Sequence, residues 1–181
     1  MRIGIFIDNY PESPRDWDNL GTMVCFHGRY NLGDDHNYSQ NNYDSWEELE
    51  KDLVNTENTA IILPLYLYDH SGLLISTTPF SCRWDSGQVG FIFISKEKIR
   101  EEYSVKRITK KLIEKVESYL INEVETYNQY LSGDVYKLEI IDDDDEVVDF
   151  YGTFYGEESI KLEAESVASR LNIPKENIYF N

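Results

Sequence analysis

Basic residues are scarce in this chain. Seventeen Lys and Arg stand against 34 Asp and Glu in 181 residues, a formal net charge of −17. A field of that sign repels nucleic acid and acidic membrane surfaces, and it attracts basic proteins. Cysteine is scarcer still. Cys25 and Cys82 are the only two, too few for a disulfide framework, and both are expected to be reduced thiols. No apolar run approaches the roughly 20 residues of a membrane-spanning helix. Residues 1–8 lack the long apolar core and small-residue cleavage site of a signal peptide, so the expectation is a cytoplasmic protein with no membrane contact. Also missing are Gly-x-Ser-x-Gly, Walker A, His-Glu-x-x-His and the Rossmann glycine pattern, so no cofactor is expected.

What remains reads as a folded protein. The hydrophobic content is 41% and the aromatic content 14%, with 14 tyrosines, a composition that argues against disorder. The length fits a single domain over 1–181, with a subdivision into a strand- and loop-rich part (1–95) and a helix–hairpin–helix part (96–181). Residues 2–8, Thr22 to His27, Thr59 to Tyr68, Leu73 to Thr77 and Val89 to Ile94 read as strands. Pro64 marks the third of these as an edge or a bulged strand. Ser45 with Glu48 forms a capping-box pattern ahead of Trp46, Leu49 and Leu53 at helical spacing. A long helix is predicted from a Ser104 cap through Val105, Ile108, Leu112, Val116, Leu120, Val124, Tyr127 and Leu131, ended by Gly133. Asp134 to Ile141 and Val147 to Tyr155 then alternate as a hairpin. Glu158 to Leu171 reads as a last helix, and Ile178–Phe180 as a short strand. The expected class is α+β: a mixed or mainly antiparallel sheet, one long helix, two shorter helices and an acidic β-hairpin.

The charge is uneven along the chain. Residues 96–115 hold eight basic and four acidic residues, whereas 116–181 hold four basic and sixteen acidic ones. Asp142, Asp143, Asp144, Asp145 and Glu146 form an unbroken run at the expected hairpin turn, with Asp149 just beyond. A solvated acidic turn is one reading. The other is a surface that imitates phosphates and occupies a basic nucleic-acid groove, helped by the acidic end of the long helix (Glu117, Glu123, Glu125). The start of that helix is basic, through Lys106, Arg107, Lys110, Lys111 and Lys115, against the sense of the helix dipole. Lys106, Arg107, Lys110 and Lys111 are therefore candidates for weak contact with DNA or guide RNA.

The chemistry-bearing residues of the first half form a second candidate site. Cys25, His27, Asp69, His70 and Asp85 supply the types needed for a Cys/His/Asp hydrolase, with either cysteine as nucleophile. Cys25-x-His27 places two potential zinc ligands on one strand face, but lacks the four-ligand spacing of a zinc site, and no metal is expected. Asp69-His70-Ser71-Gly72 is equally a turn sequence. Arg15, Arg29 and Arg83 are expected to pair with Asp16, Asp18, Asp34 or Asp85 and so to pin the polar stretch 9–44. A pocket walled by Trp17 and Trp84 is the remaining option there.

Several segments carry a family likeness: Ser13 to His27 (SPRDWDNLGTMVCFH), Arg29 to Asp34 (RYNLGD), Leu65 to Gly72 (LYLYDHSG), Trp84 to Ile92 (WDSGQVGFI) and Tyr130 to Tyr136 (YLSGDVY). They resemble a family of small proteins encoded by phages and mobile elements, mostly without assigned function. In size and acidity the chain is similar to type II-A anti-CRISPR proteins, which inhibit Cas9. The resemblance implies a non-enzymatic protein of the host cytoplasm whose partner is a basic nucleic-acid-processing host protein, Cas9 or its guide-RNA complex first. An antirestriction DNA mimic and a phage-encoded hydrolase are the alternatives.

Overall fold

The computed structural model describes residues 1–181 and contains eight strands and four α-helices. The class is α+β, as the patterning implies, but the strands divide into two four-stranded sheets rather than one, ordered β7-β6-β1-β8 and β2-β5-β3-β4. Two compact units result. The first combines both ends of the chain, Met1–Ser13 and Gln129–Asn181; the second is Pro14–Asn128.

In the first unit β1 (Arg2–Ile7) lies between β6 (Val135–Ile141), antiparallel, and β8 (Ile178–Phe180), parallel. β7 (Val147–Tyr155) pairs with β6 and forms the outer edge. Alternation along β1 and β6 sends Ile3, Ile5, Leu138 and Ile140 to one face. They pack there on Ile160, Ala164, Val167 and Ala168 of the helix Glu157–Leu171 (α4). Each Å² of apolar surface that these side chains remove from water stabilises the layer by about 25 cal/mol. Asn172, in the left-handed region at φ 55°, ends α4, and the Ile173 amide donates to the Ala168 carbonyl, the closure expected when the chain leaves a helix this way.

In the second unit β5 (Ser86–Ser95) is buried on both sides, which explains its continuous apolar run. It pairs with β2 (Thr22–Cys25) and with β3 (Thr59–Asp69), and β3 pairs in turn with β4 (Leu73–Ser76). Pro64 sits where β3 has β5 on one side and no β4 partner on the other, next to the register shift between Leu65 and Tyr66. A residue without an amide proton is tolerated at such a place. Phe91, Phe93 and Val24 pack on Leu49 and Leu53 of the helix Trp46–Thr56 (α1). The Ser45 side chain accepts from the Glu48 amide, as the capping pattern requires. Gly90 faces Cys25 across the ladder, and a Cβ there would fall 1.9 Å from the Val24 carbonyl oxygen, so only glycine fits.

The long helix starts later than its apolar spacing suggests. A short helix, Lys96–Glu102 (α2), comes first, capped by Ser95, whose side chain accepts from the Lys98 amide. Ser104 then adopts φ 50°, which breaks the helix rather than capping it. The long helix α3 runs Lys110–Ser132, with Thr109 accepting from the Leu112 amide, and buries Val116, Leu120, Val124 and Tyr127.

The loop before α1 is tied to it by phenol–carboxylate bonds. Tyr43 donates to Asp52 at 2.6 Å, and Tyr38 donates to Glu57. The Asp52 bond, with burial second, pushes the Tyr43 hydroxyl up to about 12. The same bond holds the Asp52 carboxyl below its ordinary range. Tyr43 therefore contributes stability that is complete below its unfolded pKa of about 10 and lost as pH rises through about 12. The stability gap between wild type and Tyr43→Phe, measured by urea unfolding, is expected to narrow over that interval. A gap independent of pH up to 12 would remove the bond from the account.

Candidate functional site

The acidic run is the turn of the β6–β7 hairpin. Asp142 organises it: its amide donates to the Glu146 carbonyl at 3.0 Å, and its Oδ1 accepts from the amides of Asp144 (2.9 Å) and Glu146 (3.0 Å). Asp145 takes the left-handed conformation, φ 67°, which aspartate tolerates better than most residues. Part of the charge is matched locally. The Met1 amine lies 2.6 Å from Asp143 Oδ1, and Arg2 pairs with Asp145. Hydrogen bonding and charge from that amine hold the Asp143 carboxyl below the usual aspartate range. Asp143 and Asp145 remain 94% and 75% exposed, so these pairs are screened and weak. Asp149 accepts from the Phe150 amide at 2.8 Å.

The basic candidates do not share one helix face. Lys106 and Arg107 lie in the loop before α3, and only Lys110 and Lys111 fall in its first turn. Lys110 reaches Glu114 at 3.8 Å. At the other end of the helix Glu123 is not a surface charge. It faces Arg15 and the loop amides, which removes it from the acidic array expected there.

Of the first-half cluster, the structure brings together Asp69, His70 and Asp85. Asp69 pairs with Arg29. His70 Nδ1 lies 3.6 Å from Asp85 Oδ2, and the Cys82 thiol donates to the same oxygen at 3.4 Å. The Asp69 amide donates to the Asp85 carbonyl, so these loops meet at one end of the sheet. His27 stacks on Tyr30 and accepts backbone amides through Nδ1. Cys25 is instead buried on β2, where desolvation pushes its thiol up to about 12. Its charged neighbours are Asp34 and Arg15, and the His36 ring meets its backbone carbonyl at 3.1 Å. A thiol in that state is a poor nucleophile at neutral pH. The Cys82 thiol donates to the Asp85 carboxylate rather than to an imidazole. No group of three or more His, Cys, Asp or Glu is placed to hold a metal ion. In the native protein one thiol, Cys82, is expected to react with a disulfide reagent, and Cys25 only after denaturation. Fast reaction of both native thiols would contradict this placement.

The most constrained polar site centres on Arg15, whose side chain is 4% exposed. Its guanidinium donates to both oxygens of Asp34 (2.7 and 2.6 Å), to Glu123 (3.3 Å) and to the Gly21 carbonyl (2.8 Å). Asp34 also accepts from the Met23 amide, and Glu123 from the amides of Leu20 and Gly21. Asp34 is one of the four acids expected to pair with the first-half arginines; Glu123, and Asp69 as the partner of Arg29, lie outside that set. Above this network an open groove of about 460 Å³ is lined by Trp17, Tyr103, Tyr119, Lys98, Glu102 and Asn122 among others. Trp84 is 96% exposed and takes no part in it. The groove's charged lining is Asp18, Glu102 and Glu123 with Lys98, which donates to the Asn19 carbonyl at 2.7 Å; Lys115 lies over the Tyr103 and Tyr119 rings that wall it.

Fold and charge together define an acidic α+β protein of two four-stranded sheets with a carboxylate-rich hairpin tip. No protein-family model, no curated protein and no solved structure matches the chain. No helix is long and apolar enough to cross a membrane.

Proposed function

We propose that the chain is a non-enzymatic inhibitor that binds a basic, nucleic-acid-processing host protein, with Cas9 or its guide-RNA complex the first target to test. The observation that supports this is the hairpin tip, where the consecutive carboxylates Asp143 to Glu146 stand exposed on a turn that half-buried Asp142 holds by hydrogen bonds. Such an array enters a basic channel in place of phosphates, and ions leave both surfaces, so affinity falls steeply with salt. Lys106, Arg107, Lys110 and Lys111 then form the stretch able to touch DNA or guide RNA inside the complex, and a gel shift with duplex DNA at low salt reads that contact.

The test is a Cas9 cleavage assay with guide RNA and target duplex, titrated with this protein, alongside co-elution with Cas9 on size exclusion. Inhibition near stoichiometry with co-elution supports the reading. Inhibition far below stoichiometry would point instead to a hydrolase and to the Cys/His/Asp residues. No effect would remove Cas9 and turn the same assay toward restriction enzymes, the antirestriction alternative.

A further inference from the structure

β7 is the edge of its sheet, and it exposes apolar side chains immediately after the acidic turn. Val147, Val148 and Phe150 are each more than half exposed. The register places Val147 opposite Ile141 and Phe150 opposite Glu139, so both lie on the face away from α4, while Tyr151 and Phe154 join the α4 core. Exposed apolar residues on an edge strand ordinarily invite a further strand, but this edge is built against it. Register shifts leave Val148 and Gly152 without partners on β6, which marks two bulges, and the Asp149 carboxylate occupies the Phe150 amide. Pairing with a second copy is opposed by charge as well. In an antiparallel β7–β7 arrangement the acidic turn of each chain would meet Glu157 and Glu158 of the other, at a net of −17 per chain. The remaining use is a side-chain contact, an apolar centre with a charged rim, which is the anatomy of a protein interface.

We propose that Val147, Val148 and Phe150 form the apolar centre of the surface that binds the basic partner, with the carboxylates of residues 142–146 as its rim. The inference rests on the inhibitor reading and divides the labour within it. The turn sets the rate of encounter and its salt dependence, whereas the apolar centre sets residence time. The occupant is a protein surface that carries Lys or Arg beside apolar side chains.

Two peptides of equal charge separate these roles, four repeats of Lys-Val and four repeats of Lys-Ser, each titrated into the full chain and followed by calorimetry and NMR. The Lys-Val peptide is expected to bind about tenfold more tightly and to shift the resonances of Val147, Val148 and Phe150. Phe150→Ser is expected to abolish that preference and leave Lys-Ser affinity unchanged; Val148→Thr serves as a second variant if Phe150→Ser melts early. Neutralising the turn lowers affinity for both peptides. Equal binding of the two peptides, no binding of either, or a preference that survives both substitutions would overturn the proposal. So would sedimentation showing a dimer that Phe150→Ser dissociates, since the patch would then belong to a second copy. If Cas9 is unaffected but the peptide preference holds, the target falls and the patch stands. If Cas9 is inhibited equally by wild type and Phe150→Ser, the patch falls and the inhibitor stands.

Discussion

Arg15→Met is expected to lower the melting temperature by roughly 6–12 °C. The substitution keeps most of the buried stem and removes the guanidinium. Two carboxylates, Asp34 and Glu123, are then left facing each other at 21% and 17% exposure. Removing one partner of a buried ion pair costs about 3–5 kcal/mol, and the residual exposure of these carboxylates places the value near the lower end, about 3 kcal/mol. At about 2–4 °C per kcal/mol for a chain of this size, the shift follows. The carboxylates also hold the amides of Leu20, Gly21 and Met23, so hydrogen exchange at these three amides is expected to accelerate more than exchange in the β6–β7 ladder. High salt restores little, because the pairs are shielded from solvent ions. A loss below about 1 kcal/mol, with the three amides still protected, would mean that the loop is held by its other contacts. The same network explains how the polar stretch 9–44 stays ordered with only one regular strand in it.

The elements legible in the sequence are those whose signal is local. The alternation of β1 and β6, the Ser45 cap of α1 and the spacing of Ile160, Ala164 and Val167 in α4 each depend on residues a few positions apart. Sheet membership does not. β1 joins β6 across more than 120 residues, and nothing in either strand distinguishes one eight-stranded sheet from two of four. The start of α3 is later than the pattern implies because Val105 and Ile108 continue its apolar spacing by coincidence; both lie half-buried in a loop that Ser104 has already turned. α2 carried one usable signal, Ser95 as a cap, but buries only Ile99, too little for a periodic pattern.

The candidate sites divide in the same way. The acidic turn is visible because its residues are contiguous, and the need of Arg15 for an acid because cations are so few in the first half, although the sequence leaves Asp16, Asp18, Asp34 and Asp85 equally eligible. Glu123 was hidden by distance along the chain; as one glutamate among several on a polar helix face, it carried no mark of its internal role. Cys25 and Asp85 were grouped by residue type alone. Strand geometry separates them, since Cys25 points into the core opposite Gly90 while Asp85 lies at the sheet's end. The exposure of Phe150 was unreadable for a related reason: alternation identifies two faces of a strand, but not which of them a helix covers.

Replacing Asp142, Asp143, Asp144 and Asp145 together by asparagine is expected to weaken inhibition about 30-fold at low salt. An exposed carboxylate that meets a basic surface contributes about 0.5–1 kcal/mol. Four would give about 2–4 kcal/mol, or roughly 30- to 1000-fold at 1.4 kcal/mol per decade. The lower figure applies because Asp143 and Asp145 are already partly matched by the Met1 amine and Arg2. Asparagine is the right probe, since its side-chain oxygen can accept the Asp144 and Glu146 amides as Asp142 does. It also tolerates the left-handed backbone of position 145. The melting temperature should therefore move little, and a loss of inhibition reads charge rather than unfolding. Two further signatures belong to an electrostatic contact. The association rate falls while dissociation is nearly unchanged, and the variant's affinity depends less on salt than the wild type's. Inhibition equal to wild type at matched concentration and salt would show that the turn is solvated charge and nothing more. Binding would then have to reside elsewhere, in the apolar patch of Val147, Val148 and Phe150 or in the basic Lys106–Lys111 segment.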